Sequence, residues 1–401
     1  KEFVSDWCVG FEELRQRVDE YPLERVEKIT GVDKALIAEA ARMYATADGA
    51  SIPWTPITDQ QISSTSAIRL HSILRAVTGN LDVVGGDTLG GFNPSYIPES
   101  ELGLHEVLSP EQKAKQMGYD DHPVYTYRVA EMLKEPTEKV WGFPYADIVM
   151  GCHMANPTNV FRAMKTEQPY PIKAFIVLGN NALLSYPNQH QILEAMMNQE
   201  LIVAHELFMT PTAMLADYIL PGDVFTERNH VADGWSWTTR LTLSQKVVEP
   251  PEQASSTYQF WHDLAVRFGF GNEFPWQSIE EVLDHRLARS GRTFREFEEQ
   301  GFMEMPIPEY RKYRKTGFAT PSGKVELYSS ILEELGFDPL PYYREGPATS
   351  PEYPYMVFTG VREDPFFQTG QRNVKELRDR CPVPSVFIHP EDATRDGLND
   401  G

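Results

Sequence analysis

Between residues 172 and 221 three short apolar runs alternate with segments of helical or turn character, and this stretch limits the fold more than any other. Ile172–Leu178 is the first run, and Gly179-Asn180-Asn181 breaks it. Helical spacing follows from about Pro187 to Asn198, with Ser185 expected as cap and Pro187 in the first turn. Leu201–His205 is the second run, closed by Glu206. Thr210 is placed to cap a short helix through Asp217, and Tyr218–Leu220 is a third strand that stops at Pro221-Gly222-Asp223. Strand, helix, strand, helix, strand at this spacing predicts a parallel sheet with right-handed crossovers.

The remaining segments divide around it. Residues 1–88 read as helical with one strand. Asp33 caps a helix whose apolar positions are Ala35, Leu36, Ile37, Ala40 and Met43; Ser51–Trp54 ends a short strand; a second helix runs from about Ser64 to Thr78 and stops at Gly79-Asn80. An irregular excursion follows over 89–155, introduced by Gly85-Gly86 and Gly90-Gly91. The parallel-sheet domain covers 156–275 and includes an amphipathic helix over Ser255–Phe268; residues 276–352 read as helices and a surface linker. A new unit opens at 353–401, with strands at Tyr355–Thr359 and Val386–His389 and a short helix from Pro390.

Charge and composition remove several function classes. With 37 basic against 58 acidic residues the net charge is −21, which repels phosphate backbones and anionic lipid. No nucleic-acid partner is expected. The apolar runs fall far short of the ~20 residues that span a bilayer, so no membrane insertion is expected either. The three cysteines, Cys8, Cys152 and Cys381, contain no C-x-x-C, and the ten histidines show no H-x-x-x-H. A metal held wholly by this chain is therefore not expected. Lys1 is not Met and Asn399-Asp400-Gly401 is a turn pattern. The chain reads as a fragment of a longer protein without a signal peptide.

Four places have side chains suited to chemistry. Gly179 at a strand end lets a ligand approach the backbone, and Glu206 at the next strand end suits ribose hydroxyls, although an ordinary turn with a solvated Glu has the same pattern. Cys152-His153 suggests a thiolate–imidazole pair, but adjacent side chains diverge, and a buried structural Cys is the simpler reading. Trp54 and Trp235 stand in Pro/Gly-rich context near predicted strand ends, where aromatics either wall a dry pocket or pack into the core. Arg362 follows a predicted strand and suits either an anionic or heteroaromatic ligand or a surface pair with Glu363 or Asp364.

Taken together, Leu178-Gly179-Asn180-Asn181-Ala182, Phe208–Ala213 leading to Ala216–Pro221, Thr78-Gly79-Asn80 with Gly85-Gly86, Ala319–Glu326, and Thr359-Gly360 with Gln368-Thr369 resemble the molybdopterin oxidoreductases, the dimethyl sulfoxide reductase superfamily. Lys1–Leu14, Met154–Thr158 and Arg362-Glu363-Asp364 are most like its hydratase branch, tungsten enzymes that add water to a triple bond without net redox change. The resemblance implies an α/β protein: Rossmann-like parallel-sheet domains with an incomplete C-terminal β-barrel domain, which 353–401 begins. It implies a bis-molybdopterin guanine dinucleotide cofactor with tungsten or molybdenum, and a [4Fe–4S] cluster whose ligands, like the catalytic residues, belong to an N-terminal part outside this chain. Gly179, Asn180, Asn181, Glu206 and Thr210 would meet the guanosine and pyrophosphate of one cofactor half. Thr359, Gly360, Arg362, Gln368 and Thr369 would lie near the pterins, with Gln60 near the active centre, while Trp54 and Trp235 would wall the substrate pocket. The substrate would be a small molecule such as an alkyne. Oxidoreductase chemistry with an electron-transfer subunit and a cofactor-free scaffold are the alternatives, and a cytoplasmic location is expected.

Overall fold

The computed structural model describes residues 2–89, 95–147, 149, 153–232, 240–304, 309–358, 366 and 370–400. They form two compact units, 1–345 and 346–401. Eight strands lie among the described residues: β1 (Cys8–Val9), β2 (Ala174–Leu178), β3 (Leu201–Glu206), β4 (Tyr218–Pro221), β5 (His230–Ala232), β6 (Arg240–Ser244), β7 (Phe302–Glu304) and β8 (Val325–Glu326).

The expected parallel sheet is present, in the order β2-β3-β4. Ile176 pairs with Val203 and Ala204 with Ile219, so all three strands run the same way and leave the sheet at one edge. The helix Gln189–Met197 makes the first crossover and the helix Pro157–Thr166 lies beside it. Between helices and sheet, Phe161, Met164, Ile192, Ala195, Met196 and Ile202 close a buried apolar layer.

Local chemistry moved two boundaries. The helix expected from Pro187 starts at Gln189, because Asn188, at φ 63°, accepts from the Gln191 N–H and acts as the cap. Ser185 instead ends a separate four-residue turn, Ala182–Ser185. The helix expected after Thr210 shortens to one 3₁₀ turn, Ala213–Leu215.

A second layer joins the two ends of the first unit. Strand β1 pairs in parallel with β8, Cys8 opposite Val325, over a core of Leu14, Ile73, Ala76, Leu327 and Leu340. Arg69, on the helix Ser64–Thr78, donates to the carbonyls of Pro339 and Leu327 at 2.8 and 3.1 Å. The antiparallel sheet β5-β6-β7 packs Val231, Leu241 and Met303 on Leu283, Leu287 and Phe297 from the helices Ile279–Leu287 and Phe294–Gln300. The excursion 89–155 holds more regular structure than expected, including the fifteen-residue helix Tyr127–Trp141.

Four expected elements differ. Asp33 caps the helix Lys34–Thr46 as predicted, through the Ala35 N–H at 2.7 Å, but Leu36 and Met43 of its apolar stripe are exposed. Ser51–Trp54 is not a strand: side chains, not a neighbouring strand, take both backbone groups of Ile52, with Asp87 accepting from its N–H and Arg75 donating to its carbonyl. In the second unit, the described residues 355–358 and 386–389 are not strands. Phe358, Val386 and Phe387 are each more than 80% exposed, so no sheet neighbour covers them among the described residues. The helix Pro390–Arg395 forms where expected, capped by His389. No closed barrel occurs among the described residues.

Met196 is fully buried in the sheet core. Met196→Ala should lower the unfolding free energy of the intact protein by about 2–5 kcal/mol in a denaturant titration. A change below ~1 kcal/mol would mean that this layer does not hold the sheet.

Candidate functional site

The carboxyl edge of the parallel sheet gathers the first set of candidate residues. Gly179 follows β2 with φ 54° and donates its N–H to the His205 carbonyl at 3.0 Å, extending the ladder one step beyond the strand. A Cβ there would meet nothing within 4 Å. The backbone is therefore open to an incoming group, and the left-handed φ favours glycine. Asn180, next in line, is exposed.

Asn181 turns inward. Its Oδ1 accepts from the Thr212 hydroxyl at 2.8 Å, and that same hydroxyl oxygen accepts from the Leu183 N–H at 3.0 Å. Both side chains are buried. The loop after β2 is thereby bound to the segment after β3, and Asn180 and Gly179 are left facing out.

Glu206 ends β3 half-buried, its Oε1 accepting from the Leu207 N–H at 2.9 Å. Thr210 is also half-buried and caps the turn Ala213–Leu215 through the Ala213 N–H at 3.1 Å. The edge thus offers an unobstructed approach to the backbone at Gly179, an amide, a carboxylate and a hydroxyl, a donor and acceptor set suited to sugar hydroxyls and a heteroaromatic base. Around it Leu184, Leu207, Phe208, Met209 and Met214 are exposed, a cluster of the kind that marks a covered surface.

Sequence reasoning missed the supports of this edge. His205 is buried, its Nε2 within 2.9 Å of the Ser255 carbonyl and 3.2 Å of the Ser255 hydroxyl. A Cβ on Gly222 would lie 3.1 Å from its ring. The signals were Gly222 after Pro221 and the hydroxyl pair flanking Pro211; neither identifies its partner from the sequence alone.

Trp54 and Gln60 lie on another segment of the same unit, both exposed, with the Trp54 indole N–H donating to Asp59 Oδ1 at 3.1 Å. Trp235, Thr359, Gly360, Arg362, Gln368, Thr369 and Cys152 lie outside the described residues. Among the described residues no three His, Cys, Asp or Glu side chains are grouped to hold a metal ion, and no helix is long and apolar enough to cross a membrane.

A separate cleft of about 580 Å³ opens in the excursion, lined by His105, Leu108, Tyr127, Glu138, Pro144 and Asp147 among others. His105 Nε2 lies 3.2 Å from Asp147 Oδ1, and the His105 and Tyr127 rings flank His153 at 5.3 and 5.7 Å. Burial raises the Asp147 pKa. Burial, with the charge of His105 second, lowers that of His153.

Residues 86–267 match the molybdopterin oxidoreductase family. The chain resembles that family over this stretch. It is 46% identical over 408 residues to acetylene hydratase of Syntrophotalea acetylenica, which aligns with all of this chain and 56% of the relative. The solved structure of acetylene hydratase from Pelobacter acetylenicus superposes with a TM-score of 0.94 at 46% identity, again over the whole chain and 56% of that protein. The formate dehydrogenase H of Escherichia coli is 27% identical, covering all of this chain and 53% of the relative. The chain spans about half the length of the curated relatives it matches. The parallel edge and most of its buried supports fall within the matched region, with Thr212, His205 and Ser255 inside it.

His153 has a folded pKa below its ordinary value of 6.5, so only the unfolded chain gains this proton as pH falls. Its contribution is complete above about pH 6.5 and lost below it. The drop in Tm between pH 7 and pH 5 should be shallower in His153→Gln; an unchanged slope would remove His153 from the acid sensitivity.

Proposed function

We propose that this chain is the dinucleotide-holding and pocket-wall part of a molybdopterin enzyme that hydrates a small unsaturated molecule, with acetylene as the leading substrate. One observation carries this reading: 46% identity to acetylene hydratase holds along the entire chain, together with the same fold.

The residues of the parallel edge fit the guanosine end of a molybdopterin guanine dinucleotide. The open space over Gly179 admits a phosphate or sugar against the backbone, with the outward amide of Asn180 beside it. Glu206 suits ribose hydroxyls as an acceptor, and the Thr210 hydroxyl retains donor capacity while it caps its turn. Asn181 serves from beneath, holding the loop through Thr212. Thr359, Gly360, Arg362, Gln368 and Thr369 are assigned to the pterins, Gln60 to the neighbourhood of the active centre, and Trp54 and Trp235 to the substrate wall. When bound, the tungsten or molybdenum of the bis-dinucleotide cofactor supplies Lewis-acid activation of water or substrate. The [4Fe–4S] ligands and the proton-donating acid are assigned to chain outside these residues. The tryptophans contribute a dry, apolar wall, which favours a neutral carboxylic acid over its anion.

The segment 1–88 is assigned to the C-terminal part of an α/β domain, 89–155 to an irregular excursion, 156–275 to a Rossmann-like cofactor-binding domain, 276–352 to a helical linker region and 353–401 to the start of a β-barrel domain. The net charge of −21 fits a small uncharged substrate and no polyanionic partner. A cytoplasmic site of action fits anaerobic, reduced-cofactor chemistry. An electron-transfer subunit is not required, because adding water to acetylene leaves the electron count unchanged.

The full-length protein, purified and assayed without oxygen, should convert acetylene to acetaldehyde with no electron acceptor present. Substrate-dependent reduction of a viologen dye with no acetaldehyde formed would overturn this reading in favour of an oxidoreductase. Glu206→Gln should weaken retention of one of the two guanine nucleotides, so GMP released by acid falls towards half. Unchanged GMP would remove Glu206 from the nucleotide site.

A further inference from the structure

The segment 49–55 is irregular, yet it is held from three sides. It begins at Gly49, whose φ of 85° brings it so close to the next turn that a Cβ would lie 2.6 Å from the Val84 carbonyl oxygen. Asn80, almost fully buried, accepts from the Ala50 N–H at 2.9 Å and donates to the Tyr44 carbonyl at 3.2 Å. Arg75 and Asp87 then take both backbone groups of Ile52. The Arg75 Nη2 donates to the Ile52 carbonyl at 3.1 Å, and the Ile52 N–H points at Asp87 Oδ2 at 3.4 Å. The two side chains are joined to each other at 2.6 Å and are mostly shielded from solvent.

Two residues beyond Ile52 this scaffold presents Trp54, which is 48% exposed. Its ring N–H donates to Asp59 Oδ1 at 3.1 Å, which favours one orientation of the indole. Core packing does not account for a half-exposed indole fixed at both its backbone and its ring, since burial is what rewards a large aromatic in a core. A recognition surface does account for it: a rigid aromatic wall loses little conformational freedom on meeting a ligand.

We infer that Asp59, Arg75 and Asp87 are positioning residues for the Trp54 wall. Asp59 sets the rotation of the indole, and the Arg75–Asp87 pair sets the backbone that carries it. None of the three touches the reacting atoms. The inference rests on the reading above, in which Trp54 faces the substrate, and it adds the device that holds the wall in place.

The test uses the full-length, cofactor-loaded protein labelled with 5-fluorotryptophan. The sequence given has seven tryptophans, and Trp54→Phe assigns the resonance of interest in the ¹⁹F spectrum. Asp59 is exposed, so Asp59→Ala leaves the fold intact. In Asp59→Ala the Trp54 resonance should shift or broaden, and kcat/KM for acetylene hydration should fall about tenfold, mainly through KM. Asp59→Asn keeps an oxygen acceptor for the indole and should restore both. Asp87→Asn should move the same resonance while leaving the other tryptophan signals in place. A Trp54 resonance unmoved by both Asp59→Ala and Asp87→Asn overturns the positioning role, whatever the activity. A resonance that moves while KM and kcat stay unchanged leaves the indole device standing and overturns the assignment of Trp54 to the substrate wall.

Discussion

The hydrogen bond from the Thr212 hydroxyl to Asn181 Oδ1 fixes the chemistry of the parallel edge. Both side chains are buried, so either one left alone would carry the full cost of an unsatisfied polar group. Because the hydroxyl also accepts from the Leu183 N–H, one oxygen fastens the loop after β2 to the loop after β3. The strand register has already brought those loops to the same edge, with Leu178 opposite His205. The exposed backbone of Gly179 and the carboxylate of Glu206 inherit their positions from this lock. His205 performs the same service one layer down by joining β3 to Ser255. Any ligand that binds at this edge would meet groups already held in place, which reduces the ordering cost of binding.

The first unit is built from distant parts of the chain. Strand β1 pairs with β8 across more than three hundred residues, and Arg69 reaches carbonyls at 327 and 339. Asp82 lies at a second junction of the same kind: fully buried, it accepts from the Lys312 backbone N–H at 3.0 Å and from Lys312 Nζ at 3.2 Å. Such closures order long loops and require the early and late segments to fold as one body. The irregular segment leading to Trp54 is bonded to the helix Ser64–Thr78 and the turn after it, through Arg75, Asn80 and Asp87.

The sequence made the parallel sheet legible because period and punctuation agree there: apolar runs of strand length stop at Gly179, Glu206 and Pro221, and the structure places β2, β3 and β4 accordingly. The helix cap at Asp33 is an equally local signal. What stayed illegible depends on partners far along the chain. Ser51–Trp54 has the composition of a strand end, but its hydrogen bonds go to side chains at positions 75 and 87. Val386–His389 has strand composition, but among the described residues no neighbour covers it and it has no ladder to join. Within the candidate site, motif likeness singled out Gly179, Asn180, Asn181, Glu206 and Thr210 but did not separate the outward Asn180 from the inward Asn181. That division depends on Thr212, thirty-one residues downstream of Asn181.

The central proposal is that this fold holds a molybdopterin dinucleotide at the carboxyl edge of β2 and β3. The most direct test is the metal and nucleotide content of the full-length protein purified without oxygen, with elemental analysis paired to acid release of GMP. The account predicts two GMP and one tungsten or molybdenum per chain. A protein that is correctly folded and contains neither metal nor GMP would contradict it and leave only the fold in common with the family.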